Sequence, residues 1–232
     1  GYRQPFTLRF ATLEFAGSQW ERAEQINRQS DPAARVTLST VNIEENSNRQ
    51  PIPYRQPRGG IRAQERGSQL QSLQNEQSIQ IEFGNVGPGA VQMIKRNFPG
   101  GINLLNYSNL RMFVHGEGFE SRGDAELVVR LGNDLENNYY EYRQPVTPTD
   151  PGYPFGRYDP GDSARLEEEA EEVWLYDVNS INIVLGAFNQ LKQLRDLEAP
   201  DDPTRLYERS DLLEDGVPGA LIAIRGNPSL DR

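Results

Sequence analysis

The chain has 232 residues and a formal net charge of −10, with a mean hydropathy of −0.72. So acidic a surface repels nucleic acid and anionic lipid, and we expect neither as a partner and no direct membrane insertion of this segment. Cysteine is absent from the sequence, which excludes disulfides, thiolate zinc sites and cysteine nucleophiles. Because the chain opens with Gly1 rather than methionine, we interpret it as a fragment of a larger chain.

Alternation of apolar and polar residues with a period of two dominates the sequence and predicts short β-strands. In chain order, the predicted strands cover residues 6–15, 35–43, 78–83, 110–115, 126–131, 139–142, 173–178, 180–184 and 220–224. Clusters of glycine and proline separate many of them, as is typical of antiparallel sandwiches. We therefore predict a mainly β fold, with residues 1–232 forming a single jelly-roll-like antiparallel β-sandwich domain.

One segment near the end of the chain has the period of a helix instead. Its apolar residues recur at helical spacing and are Val184, Ala187, Phe188, Leu191 and Leu194. Pro200 ends the pattern, because proline cannot continue a helix. We predict that this helix covers one face or open end of the sandwich. In the strand at 110–115, alternation assigns Leu110, Met112 and Val114 to the core.

Two long segments, 44–77 and 145–162, are predicted to be loops, and loops of this length usually carry function or contact a partner. The second contains five prolines, which restrict the unbound loop and reduce the ordering that binding requires. It also carries aromatic residues around an arginine, a composition common in the hot spots of protein interfaces. We therefore predict these partner-binding residues: Tyr153, Phe155, Arg157 and Tyr158. The alternative is that the rings fold back over the edge of the sandwich itself.

Tyr140 and Tyr142 share one face of the predicted strand at 139–142. A row of tyrosine rings can stack on sugars, bind protein or belong to a core. We include both as candidate partner-binding residues. Carbohydrate binding through this face, in a carbohydrate-binding β-sandwich module, is the alternative function.

Residues that could support catalysis form no recognisable pattern. His115 is the only histidine; it lies in a predicted strand without a nucleophile elbow, which favours one structural hydrogen bond. Glu117, Glu126 and Glu141 offer carboxylate pairs for glycoside hydrolysis, but a chain with 34 acidic residues always offers such pairs. An all-oxygen calcium site is compatible with the acidic loops, although none has EF-hand spacing. The acidic run at 167–172 is interpreted as a solvated flank before a strand. We predict no enzyme activity, catalytic residue, metal site or cofactor.

Several phrases, read together and in order, resemble one family. They are VNIEEN at 41–46, LQNEQS at 73–78, NLRMFVHGE at 109–117, NYYEY at 138–142, INIVL at 181–185 and IRGNPSL at 224–230. Trp174, Asn179, Leu191-Lys192 and Arg195 complete the set. From about Val36 to the end, the chain resembles the SprA/Sov family of outer-membrane translocon proteins of type IX secretion and gliding motility. The segment is similar to one of that family's soluble SprA-related domains, inserted between barrel-forming stretches.

The resemblance implies a non-enzymatic soluble domain of a very large outer-membrane secretion channel, acting in assembly, pore capping or partner binding. It implies a place in the cell envelope, on the periplasmic or extracellular face of the outer membrane. The implied partners are other secretion-system proteins, the barrel of the parent chain and secreted cargo. The family has no known catalytic residues to transfer, and its phrases around His115 and the tyrosines are structural signatures of the domain.

Overall fold

The computed structural model describes residues 20–58, 77–213 and 217–230; the predicted strand at 6–15 lies outside these ranges. The described strands are β1 (Trp20–Arg22), β2 (Arg35–Asn42), β3 (Gln77–Gly84), β4 (Ile94–Arg96), β5 (Asn109–Met112), β6 (Glu126–Asp134), β7 (Asn138–Pro145), β8 (Ile181–Val184), β9 (Tyr207–Arg209) and β10 (Leu221–Arg225). The described helices are α1 (Glu24–Ser30), α2 (Ile43–Asn46), α3 (Ser163–Trp174), α4 (Tyr176–Asn179) and α5 (Leu185–Glu198).

The predicted mainly β class is confirmed. One sheet has four strands in the order β6-β7-β10-β9, and β1–β4, β2–β3 and β5–β8 form two-stranded sheets. Strands β2, β3, β5, β6, β7, β8 and β10 occur where alternation predicted strands. The chain divides into two compact units, residues 1–36 with 83–99 and residues 37–82 with 100–232. The assignment of all 232 residues to a single domain stays a prediction.

In the first unit, a buried asparagine ties α1 to the segment before β4. The side-chain amide of Asn27 donates to the Met93 carbonyl at 3.0 Å, and its Oδ1 accepts from the Met93 N–H at 2.6 Å. A side chain thus satisfies both backbone groups of Met93, as a strand neighbour would. Beside it, β1 and β4 pair antiparallel, with Trp20 opposite Arg96.

The main core of the second unit lies between the four-stranded sheet, β8 and α5. On the two central strands, Tyr142 pairs with Ile222 and Tyr140 with Ile224, so their side chains share the inner face. The other large buried members of this main core are Ile181, Ile183, Leu185, Phe188 and Leu191. Phe188 lies 5.0 Å from Tyr140, centroid to centroid. The predicted covering helix is confirmed as α5.

The closing segment of the chain is fixed against α5. Lys192 Nζ donates to the Pro228 carbonyl at 3.2 Å, and the buried Arg195 donates to the carbonyl of Gly226. Gly226 has a positive φ of 71°, and a Cβ there would overlap the carbonyl oxygen of Asn137. Only glycine therefore fits this position, which explains the glycine of the IRGNPSL phrase.

The core assignment of the strand at 110–115 is correct for two residues and wrong for one. Leu110 and Val114 pack against the main core, whereas Met112 is 41% exposed. The strand ends at Met112, which lies opposite Ile181 at the end of the β5–β8 pair. A side chain at the end of a two-stranded pair has fewer neighbours than alternation alone suggests.

Candidate partner-binding site

The acidic run that sequence analysis interpreted as a solvated flank forms α3. The Asp162 side chain accepts from the Arg165 N–H at 3.1 Å and caps its N-terminus, and Leu175 ends it at φ 45° and ψ 55°. The buried residues Glu169, Ala170 and Val173 follow helical spacing. The prediction of a strand at 173–178 is therefore wrong. The acidic run is a helix, in which Glu167, Glu168 and Glu171 are exposed as predicted and Glu169 is buried. Glutamate and alanine favour helix, and the alternation at 173–178 is coincidental.

The buried side of α3 belongs to a second hydrophobic cluster. Its buried members are Ile52, Tyr54, Ala170, Val173 and Trp174, with Phe155 and Tyr176 packed against them. Tyr54 meets Trp174 edge-on, with ring centroids 6.1 Å apart and planes at 87°. The Trp174 indole N–H donates to the Arg55 carbonyl at 2.7 Å, so its polar atom is satisfied in the interior.

An ion pair is buried beside this second cluster. Arg55 and Glu169 have side chains only 1% and 2% exposed, and Arg55 Nε lies 2.6 Å from Glu169 Oε2. The Arg55 guanidinium also donates to the carbonyls of Ser47 at 2.6 Å and Gly156 at 2.9 Å. Arg165 Nε donates to Glu169 at 3.0 Å. Both charges are therefore compensated, as a buried ion pair requires.

The ionisation of Glu169 reflects this environment. Burial disfavours the charged carboxyl and acts to raise its pKa. This effect is outweighed by a hydrogen bond from the Gly156 N–H at 2.6 Å and by the guanidiniums of Arg55 and Arg165. Together they hold the pKa of Glu169 below its ordinary value. Glu169 therefore stays negative beside Arg55 at neutral pH.

The ion pair fixes the loop between β7 and α3. At Gly156, the N–H donates to Glu169 and the carbonyl accepts from Arg55. A Cβ at Gly156 would overlap the guanidinium of Arg165, so glycine permits this close approach. A second contact joins the Tyr158 N–H to Asn48 Oδ1 at 3.0 Å. The middle of the loop therefore has a defined conformation.

The four loop residues that the sequence predicted for partner binding form two pairs in the structure, Tyr153 with Phe155 and Arg157 with Tyr158. The Tyr153 and Phe155 rings contact each other with centroids 4.7 Å apart and planes tilted at 55°. Phe155 packs against the second hydrophobic cluster, whose buried members lie outside the strands, and not against the edge of a sandwich as the fold-back alternative had it. The Tyr158 ring lies 5.9 Å from the Arg55 guanidinium carbon and is half-buried. Arg157 is exposed, and no hydrogen bond or ion pair joins its side chain to any described residue.

Tyr140 and Tyr142 do not belong to this site. They lie in the main core and are 1% and 2% exposed. Membership of a core was one of the alternatives that the sequence left open for this pair. Burial raises the pKa of Tyr140 to about 12 and raises that of Tyr142. Rings buried this deeply cannot stack on a sugar or contact a partner without unfolding of the sheet, which removes the observation behind the carbohydrate-binding alternative.

Beside Arg157 the loop and α3 enclose a cleft of 380 Å³, here called the loop–helix cleft. Its lining residues are Arg157, Tyr158, Asp159, Asp162, Arg165, Leu166 and Glu169. Asp159 and Asp162 accept backbone N–H groups, and Glu169 is already paired. Arg165 is bound to Glu169, so Arg157 is the lining cation whose guanidinium has no partner among the described residues.

Three of the four residues considered for catalysis, His115, Glu117 and Glu141, have structural partners. The His115 Nδ1 lies 2.9 Å from the Val173 carbonyl and 3.0 Å from Thr149 Oγ1, beyond the end of β5.

Glu141 is fully buried and paired with Arg130 at 2.6 Å and with Arg143. Glu117 contacts Arg49 and His115, and Glu126 is exposed at the start of β6. In the described ranges, no three acidic or histidine side chains converge as metal ligands would.

We expect the Glu117 carboxyl to stay ionised well into the acid range. The pKa of Glu117 is lowered to about 2, chiefly by the hydrogen bond with His115 and further by Arg49. Partial burial acts in the opposite direction and raises the pKa. Since the ordinary value is 4.5, the stability that Glu117 contributes is present above pH 4.5 and lost as the pH falls towards 2. An NMR titration of its carboxyl carbon measures this pKa, and Arg49→Met should raise it. A wild-type midpoint near 4.5 would contradict the assignment.

These features define a mainly β chain whose buried charges serve structure. The family model SprA_N, described as motility related/secretion protein, matches residues 1–232. The chain belongs to this motility and secretion family, as the resemblance of its phrases predicted, which indicates a role at the cell envelope. No curated protein matches the chain. Among the residues described, none of the helices has the length and apolar character needed to span a membrane.

Proposed function

We propose that the chain is a non-enzymatic domain of an outer-membrane protein-secretion channel of the type IX and gliding-motility kind. In this proposal it lies on the periplasmic or extracellular face and binds other secretion-system proteins through the loop between β7 and α3. Membership of the motility and secretion family supports the general role. The observation that carries the binding role is Arg157, an exposed cation without a partner among the described residues, on a loop fixed by buried ionic contacts.

A fixed loop favours binding because little of it remains to be ordered. Gly156 is bound on both sides by the Arg55–Glu169 pair, and Tyr158 is bound to Asn48. Proline residues restrict the rest of the loop. The conformational entropy lost on association is therefore smaller than for a flexible loop of the same length.

The charges indicate what the partner presents. Within the described part of the chain the Arg157 guanidinium has no partner, although the net charge of the chain is −10. Arg157 directly precedes Tyr158, whose ring is half-buried. A carboxylate of the partner can accept two parallel hydrogen bonds from a guanidinium. Acidic residues on the solvent side of α3, Glu167 and Glu168, would repel a second carboxylate nearby. The loop–helix cleft therefore suits a single acidic residue with apolar neighbours.

Site-specific photo-crosslinking in the full-length chain tests this proposal. A benzoylphenylalanine in place of Tyr158 should give a discrete covalent product with another protein required for secretion, identified by mass spectrometry. Arg157→Glu should remove the product, because a repulsive charge replaces the hydrogen-bond donor. The control is Arg205→Glu, which makes the same change at an exposed arginine of the loop before β9. This variant should still give the crosslinked product.

Tyr107 provides the positional control. It is a tyrosine of the same unit that is 59% exposed, and the same photoreactive residue there should give no such product. A Tyr158 crosslink of equal yield with and without Arg157 would contradict the proposed binding mode. No crosslink from a folded, abundant protein would contradict the proposed site.

A further inference from the structure

The four-stranded sheet has one long edge whose backbone is open. β6 pairs only with β7 among the described strands. In a strand, alternate residues direct their N–H and C=O groups to opposite sides. On the side away from β7, the backbone groups of residues 127–131 make no hydrogen bond within the described part of the chain. The opposite edge, β9, has only three residues.

The core under this edge is incompletely covered. Leu127, Val129 and Leu131 pack against the main core but remain half-exposed. Their neighbours across the strand pair, Tyr142 opposite Val129 and Tyr140 opposite Leu131, are almost fully buried. A further strand beside β6, with apolar residues on the inner face, would cover the remaining apolar surface.

The edge lacks most of the devices that keep open strands from pairing. Exposed edges are commonly protected by lysine, proline or a bulge. Residues 126–131 contain no lysine and no proline, and the register shift occurs only at Gly132 and Asp134. Arg130, the one cation of this stretch, is neutralised by the buried Glu141 at 2.6 Å.

Both ends of the edge are acidic. Glu126 is exposed at the start of β6, and Asp124 precedes it. Asp134 and Glu136 lie at the other end, in the turn that leads to β7. An incoming strand with basic residues at both ends would match this distribution of charge.

We propose that the outer edge of β6 binds an extended segment of a partner protein, which has alternating apolar residues and basic ends and adds to the sheet as a fifth strand. Main-chain hydrogen bonds supply affinity in such strand addition, and the side chains of alternate residues supply selectivity. This surface is formed by other residues than those of the loop–helix cleft, and the inference does not depend on the function proposed for that cleft.

Hydrogen exchange of the full chain, followed by NMR with a synthetic peptide, tests the inference. The probe has alternating valine and threonine, with two lysines at each end; the control has proline in place of each threonine and cannot form a ladder. In the free chain, hydrogen exchange of the amides of residues 127–131 should alternate along the strand. Amides bonded to β7 should exchange slowly, and those on the outer edge should exchange fast. The probe should slow the fast amides by at least about tenfold, and the control should leave them unchanged.

A charge variant tests the selectivity. Glu126→Lys combined with Glu136→Lys should weaken binding of the lysine-ended peptide by roughly tenfold and strengthen binding of a glutamate-ended one. Three results would overturn the inference: no slowing by the probe, equal slowing by the proline peptide, or uniform protection of residues 127–131 in the free chain. Uniform protection would mean that another segment or a second copy already covers the edge, and light scattering would distinguish these two.

Discussion

Replacing Glu169 by leucine should lower the free energy of unfolding by about 3–5 kcal/mol. Arg55 is almost fully buried. Without Glu169, its hydrogen-bond partners among the described residues would be the uncharged backbone carbonyls of Ser47, Tyr54 and Gly156. Removing one member of a buried ion pair is costly because the other remains uncompensated. Urea unfolding of the two proteins at neutral pH measures the difference.

An exposed ion pair that involves the same helix provides the control. Arg58 contacts Glu171 on the solvent side of α3, and Arg58→Met should change the free energy of unfolding by no more than about 1 kcal/mol. Combining Arg55→Met with Glu169→Leu should cost less than the sum of the single substitutions. A loss below about 1 kcal/mol for Glu169→Leu would show that the pair does not stabilise the loop.

Phe188→Ala should lower the free energy of unfolding by about 3–5 kcal/mol. Phe188 is completely buried between α5 and the four-stranded sheet and lies against Tyr140, so truncation removes apolar burial and leaves a cavity. Leu197 on the same helix is 79% exposed, and Leu197→Ala should stay within about 0.5 kcal/mol. Similar urea midpoints for the two variants would contradict the placement of α5 over the main core.

The contrast between α5 and α3 shows which parts of the fold can be predicted from the sequence. The buried face of α5 is apolar, so its period is visible in the sequence. The buried face of α3 includes Glu169, whose partner Arg55 is 114 residues away in sequence. Local hydrophobic patterning cannot reveal a buried charge whose compensation comes from a distant segment. α3 was therefore missed.

The tetrapeptide Tyr-Arg-Gln-Pro occurs three times in the sequence, starting at Tyr2, Tyr54 and Tyr142. Two copies lie in the described residues, and the tyrosines that begin them are buried. The copy at Tyr142 ends β7, whereas the copy at Tyr54 contributes the buried arginine of the ion pair. The same tetrapeptide lies in two different environments, so its sequence alone could not identify Arg55 as a member of a buried ion pair.

The candidate site was predictable in composition but not in geometry. Proline and aromatic content identified the loop and the four residues Tyr153, Phe155, Arg157 and Tyr158. The sequence could not show that Phe155 faces the second hydrophobic cluster while Arg157 remains free, since both depend on the fold of α3. Alternation likewise placed Tyr140 and Tyr142 on one face but could not decide whether that face was inside.

Cargo export by cells that carry Arg157→Glu in the full-length protein tests the proposed binding role most directly. Export and gliding should fall sharply, while the abundance of the protein and the urea midpoint of the purified chain stay unchanged, because Arg157 has no structural partner among the described residues. Arg205→Glu should leave export at the wild-type level. Normal export by the Arg157→Glu strain would contradict the account.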